Sequence, residues 1–343
     1  MSRSFLGAVF HGDGRLALER LEVRDLAPDE IRLRPRAAGI CGTDVHILHG
    51  EFRAKPPVVL GHEFAGEVLE VGPDVSQIRV GDRVAIEPHR VCRRCACCTD
   101  GREHLCVVRQ GFGVHLHGGF AEEAVVSAVN AYCVPSDLAY ELAALAEPLG
   151  CCLHGIERAR IRQGDDVLVF GAGPIGLMLV RLASRAGAAR VVVVEPHEGR
   201  RSLATAYGAT HAVGVGEATA LIADLTDASG VDVALEASGS VAALQQAYDL
   251  LGAGGKLVVF GVTSPAERIL ISPHRVFSQE LSIIGSLINP YAHRRALALL
   301  ATLDLGGLIT HTFPLEDIHR AIDTAASGEA LKVQIVTPGA PSP

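Results

Sequence analysis

The sequence predicts an α/β fold with two parts: a β-rich, partly open barrel, and a parallel sheet with helices on both faces. Residues 1 to about 150 contain short β-branched runs separated by turn residues, for example at residues 31–34 and 66–71. From about residue 165, fully apolar strands alternate with helical stretches, which is typical of a parallel sheet covered on both faces. Two amphipathic stretches and a last strand, at residues 332–336, follow residue 288.

Length and composition exclude several classes of protein. A chain of 343 residues corresponds to two domains, and 48% hydrophobic residues exclude wholesale disorder. The net charge of −8 argues against nucleic-acid binding, which depends on Lys and Arg contacts with phosphates. No apolar stretch reaches the roughly 20 residues of a spanning helix, and the first ten residues lack the apolar run of a signal peptide. We therefore expect no membrane partner and a cytoplasmic location.

A glycine-rich turn follows the first apolar strand of the second part. The sequence Gly171-Ala-Gly-Pro-Ile-Gly176 lies directly after a strand and directly before a helix, which is the context of a dinucleotide site. Gly171 allows the tight turn, Gly173 lets the backbone approach a pyrophosphate, and Gly176 lets helix and strand pack closely. An ordinary glycine turn is the alternative, and the spacing disfavours it.

The end of the second strand indicates which coenzyme is used. Glu195 lies 19 residues after Gly176, where a carboxylate can accept hydrogen bonds from the ribose hydroxyls of NAD. The same charge repels the 2′-phosphate of NADP. Arg200 and Arg201 follow and can accept that phosphate, so NADP remains the alternative to the predicted NAD.

Four cysteines have the spacing of a closed zinc site, within a lobe at residues 88–108. They are Cys92, Cys95, Cys98 and Cys106. Four thiolates leave no open coordination position, so the predicted zinc is structural. Free cysteines in a loop are the alternative, which the density of thiols disfavours. In a cytosolic chain, nine cysteines argue for metal binding or catalysis before disulfides.

A second set of ligand-type residues predicts a catalytic zinc, which needs three protein ligands and one open position. The segments Cys41-Gly-Thr-Asp-Val-His46 and Gly61-His-Glu63 lie within 23 residues, and a further carboxylate lies at the junction of the two parts. Each of these residues taken singly is better explained by a structural role. Together with a dinucleotide site, the metal interpretation is favoured. The predicted ligands are Cys41, His62 and either Glu63 or Glu147.

Together these motifs resemble the zinc-dependent medium-chain dehydrogenases, on the branch of the sorbitol, threonine and secondary-alcohol dehydrogenases. The resemblance covers nearly the whole chain. It rests on residues 39–46, 61–66, 92–106, 118–122, 147–149 and 171–176.

The resemblance implies a GroES-like catalytic domain of residues 1–150 with 288–343, and an inserted NAD-binding Rossmann domain of residues 151–287. It implies two Zn²⁺ ions per chain, one of them held by Cys41 and His62 with exchange between Glu63 and Glu147. It places Thr43 and His46 in a proton relay, and it implies a homotetramer or homodimer. The implied coenzyme contacts are Gly171, Gly173, Pro174, Ile175, Gly176, Glu195, Arg200, Val262, Ser286 and Leu287.

The implied reaction is the reversible oxidation of a secondary alcohol, namely a polyol, cyclitol or diol, to a ketone with hydride transfer to NAD. Sorbitol dehydrogenases carry an Arg-Tyr pair after the last coenzyme-domain strand, where this chain reads Gly285-Ser-Leu-Ile-Asn-Pro290, so sorbitol itself is disfavoured. An L-threonine-type amino-alcohol dehydrogenase is the alternative. The two complete ligand sets disfavour a zinc-free NADPH-dependent alkene reductase and a non-enzymatic binding protein.

Overall fold

A computed structural model describes residues 3–337, and the chain forms two compact units. The first unit comprises the chain up to Pro148 and the segment from Pro290, and the second unit is Leu149–Asn289. Residues 1–2 and 338–343, which the predicted catalytic domain includes, lie outside the described residues. Within residues 3–337, no helix combines the length and the apolar character that crossing a bilayer requires.

Short strands dominate the N-terminal part of the first unit. Its apolar side chains form one buried cluster that includes Leu33, Phe64 and Phe120. In chain order the elements are β1 (Ser4–Phe10), β2 (Leu16–Glu22), β3 (Glu30–Gly39), α1 (Gly42–Leu48), β4 (Val58–Val59), β5 (Glu63–Val71), β6 (Arg83–Ile86), β7 (His89–Arg90), α2 (Ala96–Thr99), β8 (Gln110–Gly111), β9 (Ala124–Ser127), β10 (Ala131–Cys133) and α3 (Tyr140–Ala143).

The second unit is built around a parallel sheet in the order β13-β12-β11-β14-β15-β16. The strand order changes direction between β11 and β14, and open α/β sheets bind ligands beside the carboxyl ends of such strands. The elements are α4 (Ala146–Ala159), which enters this unit from the first, β11 (Asp166–Phe170), α5 (Pro174–Arg185), β12 (Arg190–Val194), α6 (Glu198–Ala206), β13 (His211–Val213), α7 (Ala218–Leu225), β14 (Val231–Glu236), α8 (Val241–Asp249), β15 (Leu251–Val259), α9 (Pro273–Ser278) and β16 (Ser282–Gly285).

The C-terminal segment returns to the first unit and completes its largest sheet. Its elements are α10 (His293–Leu300), β17 (Ile309–Phe313), α11 (Ile318–Ala326) and β18 (Lys332–Val336). The sheet has the order β10-β6-β5-β3-β18-β17, and β9 also pairs with β3. The antiparallel pairing of β18 with β3 puts Gln334 opposite Gly39, two residues before Cys41. The last strand of the chain therefore lies beside the first predicted metal ligand.

The sheets confirm the predicted α/β fold class, and the second unit contains elements that the sequence analysis did not predict. β15 runs from Leu251 to Val259 and contains a glycine-rich stretch, at which its register against β14 shifts. α4, β13, α7 and α9 were not predicted. β13 has only three residues, all half-buried, and so short a strand carries no readable periodicity.

Candidate metal and coenzyme sites

The junction between β3 and α1 positions Cys41. Cys41 is the N-cap residue of α1, in extended conformation, and its backbone N–H donates to Asp44 Oδ2 at 2.9 Å. β3 pairs with β5 so that Gly39 lies opposite Glu63, and His62 is the residue before Glu63. One antiparallel strand pair therefore brings the cysteine loop to the His-Glu dipeptide.

Cys41, His62 and Glu63 converge. Each presents one ligand atom, and these atoms all lie within 4.8 Å of one another. Glu63 is buried, and the other two side chains are half-buried. A thiol, an imidazole and a carboxylate are donors that zinc accepts, and three protein ligands are the number that leaves a position for a substrate. The donor set therefore fits a catalytic zinc.

Asp44 faces His62 from inside the protein. The side chain of Asp44 is completely buried, and its Oδ1 lies 3.6 Å from His62 Nδ1. Burial alone would lower the pKa of His62, but the charges of Asp44 and Cys41 raise it well above its usual value. A carboxylate beside a metal-binding histidine commonly orients the ring. The sequence analysis gave Asp44 no role, although its position in the first turn of α1 was a signal.

A buried lysine contacts the same group. Lys332, on β18, is 5% exposed; its Nζ contacts Glu63 Oε2 and donates to the carbonyl oxygen of Ile40 at 3.0 Å. Burial opposes the charge of Lys332, but the charges of Glu63 and Cys41 raise its pKa above the usual value. The sequence analysis missed Lys332. No local signal could have found it, because 292 residues separate it from Ile40.

Glu147 is the predicted ligand that does not belong to this group. It lies in the first turn of α4 and is 7% exposed. Among the described residues, the set whose ligand atoms lie within 4.8 Å of one another contains Glu63 and not Glu147. Metal binding by Glu147 stays a prediction.

The two predicted relay residues lie on α1. Thr43 Oγ1 lies 3.8 Å from Cys41 Sγ, so this hydroxyl lies beside one of the three converging ligand residues. His46 is exposed, and its Nδ1 lies 2.5 Å from Glu51 Oε2. The hydrogen bond from His46 lowers the pKa of the Glu51 carboxyl. Gly50, with a φ of 78°, turns the chain back so that Glu51 N–H donates to the carbonyl of His46. Glu51 is a partner that the sequence analysis did not name.

The four predicted cysteines of the lobe converge as a second group, with ligand atoms within 4.8 Å of one another. Hydrogen bonds from the backbone N–H groups of Cys98 and Val107 lower the pKa of Cys95 to about 6. Burial and the neighbouring thiols raise the pKa of Cys98 to about 12. Four thiols at this distance resist full ionisation unless a cation joins them. The closed set therefore fits a structural zinc.

The glycine-rich turn joins β11 to α5. Gly171 has a φ of 96°, which favours glycine. A Cβ on Gly176 would lie 1.9 Å from the carbonyl oxygen of Gly171, so a larger residue is excluded. Gly173 is the N-cap of α5, followed by Pro174 and Ile175. The N-terminus of this 12-residue helix thus follows the turn, as in sites that bind a pyrophosphate.

Glu195 lies beside this turn. It follows β12, is 3% exposed, and accepts hydrogen bonds from the backbone N–H groups of Ala172 at 2.7 Å and His197 at 3.0 Å. Arg201 donates to the carbonyl oxygens of Glu195 and Pro196, which engages its guanidinium with backbone. Both oxygens of the carboxylate are held next to the predicted coenzyme loop.

The remaining predicted coenzyme residues follow strands of the same sheet or lie in a helix beside it. Arg200 is half-buried in the first turns of α6. Val262 comes after β15, and Ser286 and Leu287 come directly after β16. Val262 and Leu287 are exposed, and Ser286 is half-buried. Carboxyl ends of parallel strands share one edge of a sheet, so the residues after β15 and β16 share the edge that carries the glycine turn.

Comparisons with known proteins show which family the chain is similar to. The family model of the alcohol dehydrogenase GroES-like domain matches residues 27–136, and that of the zinc-binding dehydrogenases matches residues 174–302. An L-threonine 3-dehydrogenase of Chelativorans sp. (strain BNC1) is 37% identical over 327 residues, with 93% of this chain and 94% of that protein covered. A sorbitol dehydrogenase of Bacillus subtilis (strain 168) is 35% identical over 339 residues, with 96% of each covered.

A solved structure has the same fold over nearly the whole chain. It is a zinc-binding dehydrogenase from Sinorhizobium meliloti 1021 bound to NADP, with a TM-score of 0.93 and 35% identity, and 98% of this chain and 100% of that chain are covered. These matches confirm the predicted combination of a GroES-like domain with a Rossmann-like parallel sheet.

Proposed function

The chain belongs to the zinc-dependent medium-chain alcohol dehydrogenases, and on that premise we propose that it oxidises a secondary hydroxyl of a small polyol, cyclitol or diol to a ketone, reversibly, with NAD as hydride acceptor. The observation that carries this proposal is the convergence of Cys41, His62 and Glu63 in a chain that also has a glycine-rich dinucleotide loop. Relatives named for sorbitol and threonine support an alcohol of this kind.

Each residue of the metal group has a role in this reaction. Cys41, His62 and Glu63 bind Zn²⁺, with Glu147 as the carboxylate that can exchange with Glu63. Bound zinc supplies a Lewis acid that polarises the substrate hydroxyl. Thr43 Oγ1 would accept the hydroxyl proton while its own proton passes on toward His46, and the exposed His46 ring would release a proton to solvent. The second Zn²⁺, held by the four lobe cysteines, is structural.

The coenzyme roles follow the sheet edge. The N-terminus of α5 and the glycines of residues 171–176 bind the pyrophosphate, and Glu195 accepts hydrogen bonds from the ribose hydroxyls. Val262, Ser286 and Leu287 would hold the nicotinamide end of the coenzyme. Two observations support NAD: Glu195 is fixed by two backbone N–H groups, and Arg201 is engaged with backbone carbonyls. NADP is the alternative, and the similar S. meliloti structure contains it.

Oxidation of an amino alcohol of the L-threonine type is the second candidate. The 37% identity to an L-threonine 3-dehydrogenase favours it. The segment Ser286-Leu-Ile-Asn289 favours a small substrate in either case, because few polar side chains are present to pair with the many hydroxyls of a long sugar alcohol.

We infer that the protein acts as a homo-oligomer in which two copies pair through β16. This strand is an edge of the six-stranded sheet, and an edge strand can pair with another strand. Large apolar side chains are exposed in the same unit, among them Phe277 (83% exposed), Leu270 (85%) and Ile283 (40%). A two-fold axis through such an edge pairs it with itself. A homotetramer is two such pairs.

The cytoplasm is the location that we propose. None of the nine cysteines forms a disulfide, and the lobe needs four of them reduced in order to bind zinc.

The test is a substrate panel with the purified, zinc-loaded protein. We expect the highest kcat/KM with NAD and an inositol, a short vicinal diol or a short polyol, lower values for sorbitol, and poor oxidation of ethanol. Cys41→Ser, which keeps the size of the side chain but removes the soft thiolate, is the matched inactive control. A preference for threonine would select the second candidate. A preference for a primary alcohol, or activity confined to alkene reduction with NADPH, would contradict the proposal.

A further inference from the structure

Lys332 has no role in the proposed reaction, yet it is a buried cation beside the proposed zinc ligands Cys41, His62 and Glu63. The chain has three lysines, at positions 55, 256 and 332, and otherwise uses arginine for positive charge. Lys332 alone among them is buried. Its Nζ contacts Glu63 Oε2, and a hydrogen bond to the carbonyl of Ile40 holds it there. A buried ammonium is costly unless it is paired, so the position calls for an explanation beyond surface charge.

The negative charges around the proposed zinc site are fully balanced only when the ammonium of Lys332 is counted with the divalent ion. Asp44 and Glu63 are completely or almost completely buried carboxylates, and Cys41 binds a metal as the thiolate. These three residues carry three negative charges. One divalent ion and one ammonium balance them, whereas a divalent ion alone leaves one negative charge in a region shielded from water.

The backbone makes room for the contact between Lys332 and Glu63. Gly39 on β3 lies opposite Glu63, and a Cβ at this position would lie 2.3 Å from Glu63 Oε2 and 2.9 Å from Lys332 Cε. A side chain at position 39 would therefore have to displace the ends of both charged side chains. Lysine suits this space because its charge is compact, whereas a guanidinium is a broad plane.

We propose that Lys332 is a positioning residue that competes with the catalytic metal for the Glu63 carboxylate and thereby weakens Glu63 as a metal ligand. The inference rests on the proposed function and deepens it. A carboxylate that shares its charge with an ammonium holds the metal less firmly, so the substrate hydroxyl or Glu147 can replace it. Lys332 thus sets which carboxylate completes the ligand set.

A purely structural role for Lys332 makes the opposite prediction about metal affinity. If Lys332 only held Glu63 in place as a ligand, its removal would weaken metal binding and lower stability together. If it competes with the metal, its removal leaves Glu63 with the metal as its one cationic partner, and the metal binds more tightly. The sign of the change in affinity separates the two roles.

The experiment measures zinc affinity by competition with a chelator, and the visible absorption of the cobalt-substituted protein, in the full chain. The variants are Lys332→Met, Glu63→Gln and the double variant. Gln334→Met is the matched control: Gln334 is also buried, on the same strand, and uncharged. The four lobe cysteines are the same in every protein, so differences in affinity report on the Cys41 group.

We expect Lys332→Met to bind zinc about tenfold more tightly or better, with a changed cobalt spectrum and a lower kcat, because the site has one positive charge fewer where the hydroxyl loses its proton. Glu63→Gln should bind zinc about tenfold more weakly or worse, since Lys332 then faces the metal unopposed. The double variant removes one positive and one negative charge, so its zinc affinity should lie within roughly threefold of that of wild type. Gln334→Met should leave affinity unchanged.

Weaker or unchanged zinc binding in Lys332→Met would overturn the inference. Lys332→Met leaves the Glu63 carboxylate buried without its ammonium partner, which can prevent folding. In that case the comparison of Glu63→Gln with the double variant decides, because neither protein carries this carboxylate. Adding Lys332→Met to Glu63→Gln must then raise affinity about tenfold, and a smaller gain overturns the inference. Failure of the proposed function would look different: wild type would not reduce NAD with any alcohol, whatever the affinity series shows.

Discussion

Asp44 Oδ1 lies 3.6 Å from Nδ1 of His62, and neither buried atom has a hydrogen-bond partner. The other oxygen of Asp44 accepts a hydrogen bond from the backbone N–H of Cys41. One carboxylate therefore connects two of the three proposed metal ligands: it holds the loop that carries the thiol, and it faces the imidazole ring. Water does not screen this charge, because Asp44 is completely buried.

Asp44→Asn keeps the shape of this side chain and removes its charge. We expect zinc affinity to fall about 10- to 100-fold and kcat/KM to fall with it, because the ring of His62 loses its orienting partner. Chelator competition measures the affinity. Asp74→Asn, at an exposed position of the same unit, is the control and should match wild type. Equal zinc affinity in Asp44→Asn and wild type would show that Asp44 does not support the ligand.

The two proposed zinc sites should respond differently to loss of one cysteine. Cys41→Ala should abolish turnover and leave the thermal unfolding midpoint nearly unchanged, because an open site contributes little to folding. Cys95→Ala should lower the midpoint, because metal binding to a closed site contributes folding free energy. Metal analysis should give two zinc ions per wild-type chain and one in each variant. A wild type with one zinc ion or none would contradict the two-site prediction.

Glu195 should determine the preference for NAD over NADP. Wild type should have the higher kcat/KM with NAD, and Glu195→Gln should narrow the gap, since the repulsion of a 2′-phosphate disappears while the shape of the side chain is kept. Glu195→Ala should narrow the gap too, with a larger loss of activity, because it loses the hydrogen bonds from both Ala172 and His197, whereas glutamine keeps an acceptor for one of them. Wild type that prefers NADP would mean that Arg200 outweighs Glu195.

His46→Ala should slow alcohol oxidation most at low pH, where proton release receives the least help from solvent. Added imidazole should restore part of the rate, because it can take the place of the missing ring. Glu51→Gln should produce a smaller loss of the same kind, since Glu51 orients the ring through Nδ1. The measurement is kcat/KM against pH. A pH–rate profile that is unchanged in His46→Ala would remove His46 from the relay.

We expect His293 to make the stability of the first unit depend on pH. Burial, with a smaller effect of His89, lowers the pKa of His293 to about 3, and the ring packs 5.0 Å from that of Tyr132. In the unfolded chain His293 binds a proton below about pH 6.5, whereas in the folded chain it stays neutral until the pH approaches 3. Stability is therefore complete above about pH 6.5 and falls as the pH falls from there toward 3.

The variant His293→Phe removes the group that binds this proton in the unfolded chain, and it keeps an aromatic ring beside Tyr132. Between pH 7 and pH 5, wild type should lose about 2 kcal/mol more unfolding free energy than the variant, at the same excess of zinc. Denaturant unfolding at the two pH values measures the difference. Parallel losses in the two proteins would show that His293 is not the residue responsible.

Short-range patterns in the sequence by themselves predicted the glycine-rich turn, the two groups of ligand-type residues and the parallel sheet. The turn at residues 171–176 and the cysteines of the lobe are recognisable because their function depends on spacing within a few residues, and such spacing survives in the linear chain. The same holds for Cys41 and for His62 with Glu63, which one strand pair brings together. The alternation of apolar strands and helices predicted the parallel sheet for the same reason.

Only the tertiary structure showed where Lys332, Asp44 and Glu147 lie relative to the group of Cys41, His62 and Glu63. Lys332 reaches Glu63 because β18 pairs with β3 across almost the whole length of the chain, and that pairing depends on burying the strands of the entire sheet. In the sequence, Glu63 and Glu147 were equal candidates. Folding puts one of them within 4.8 Å of the other ligands, because strand register, and not residue type, sets which carboxylate faces a thiol.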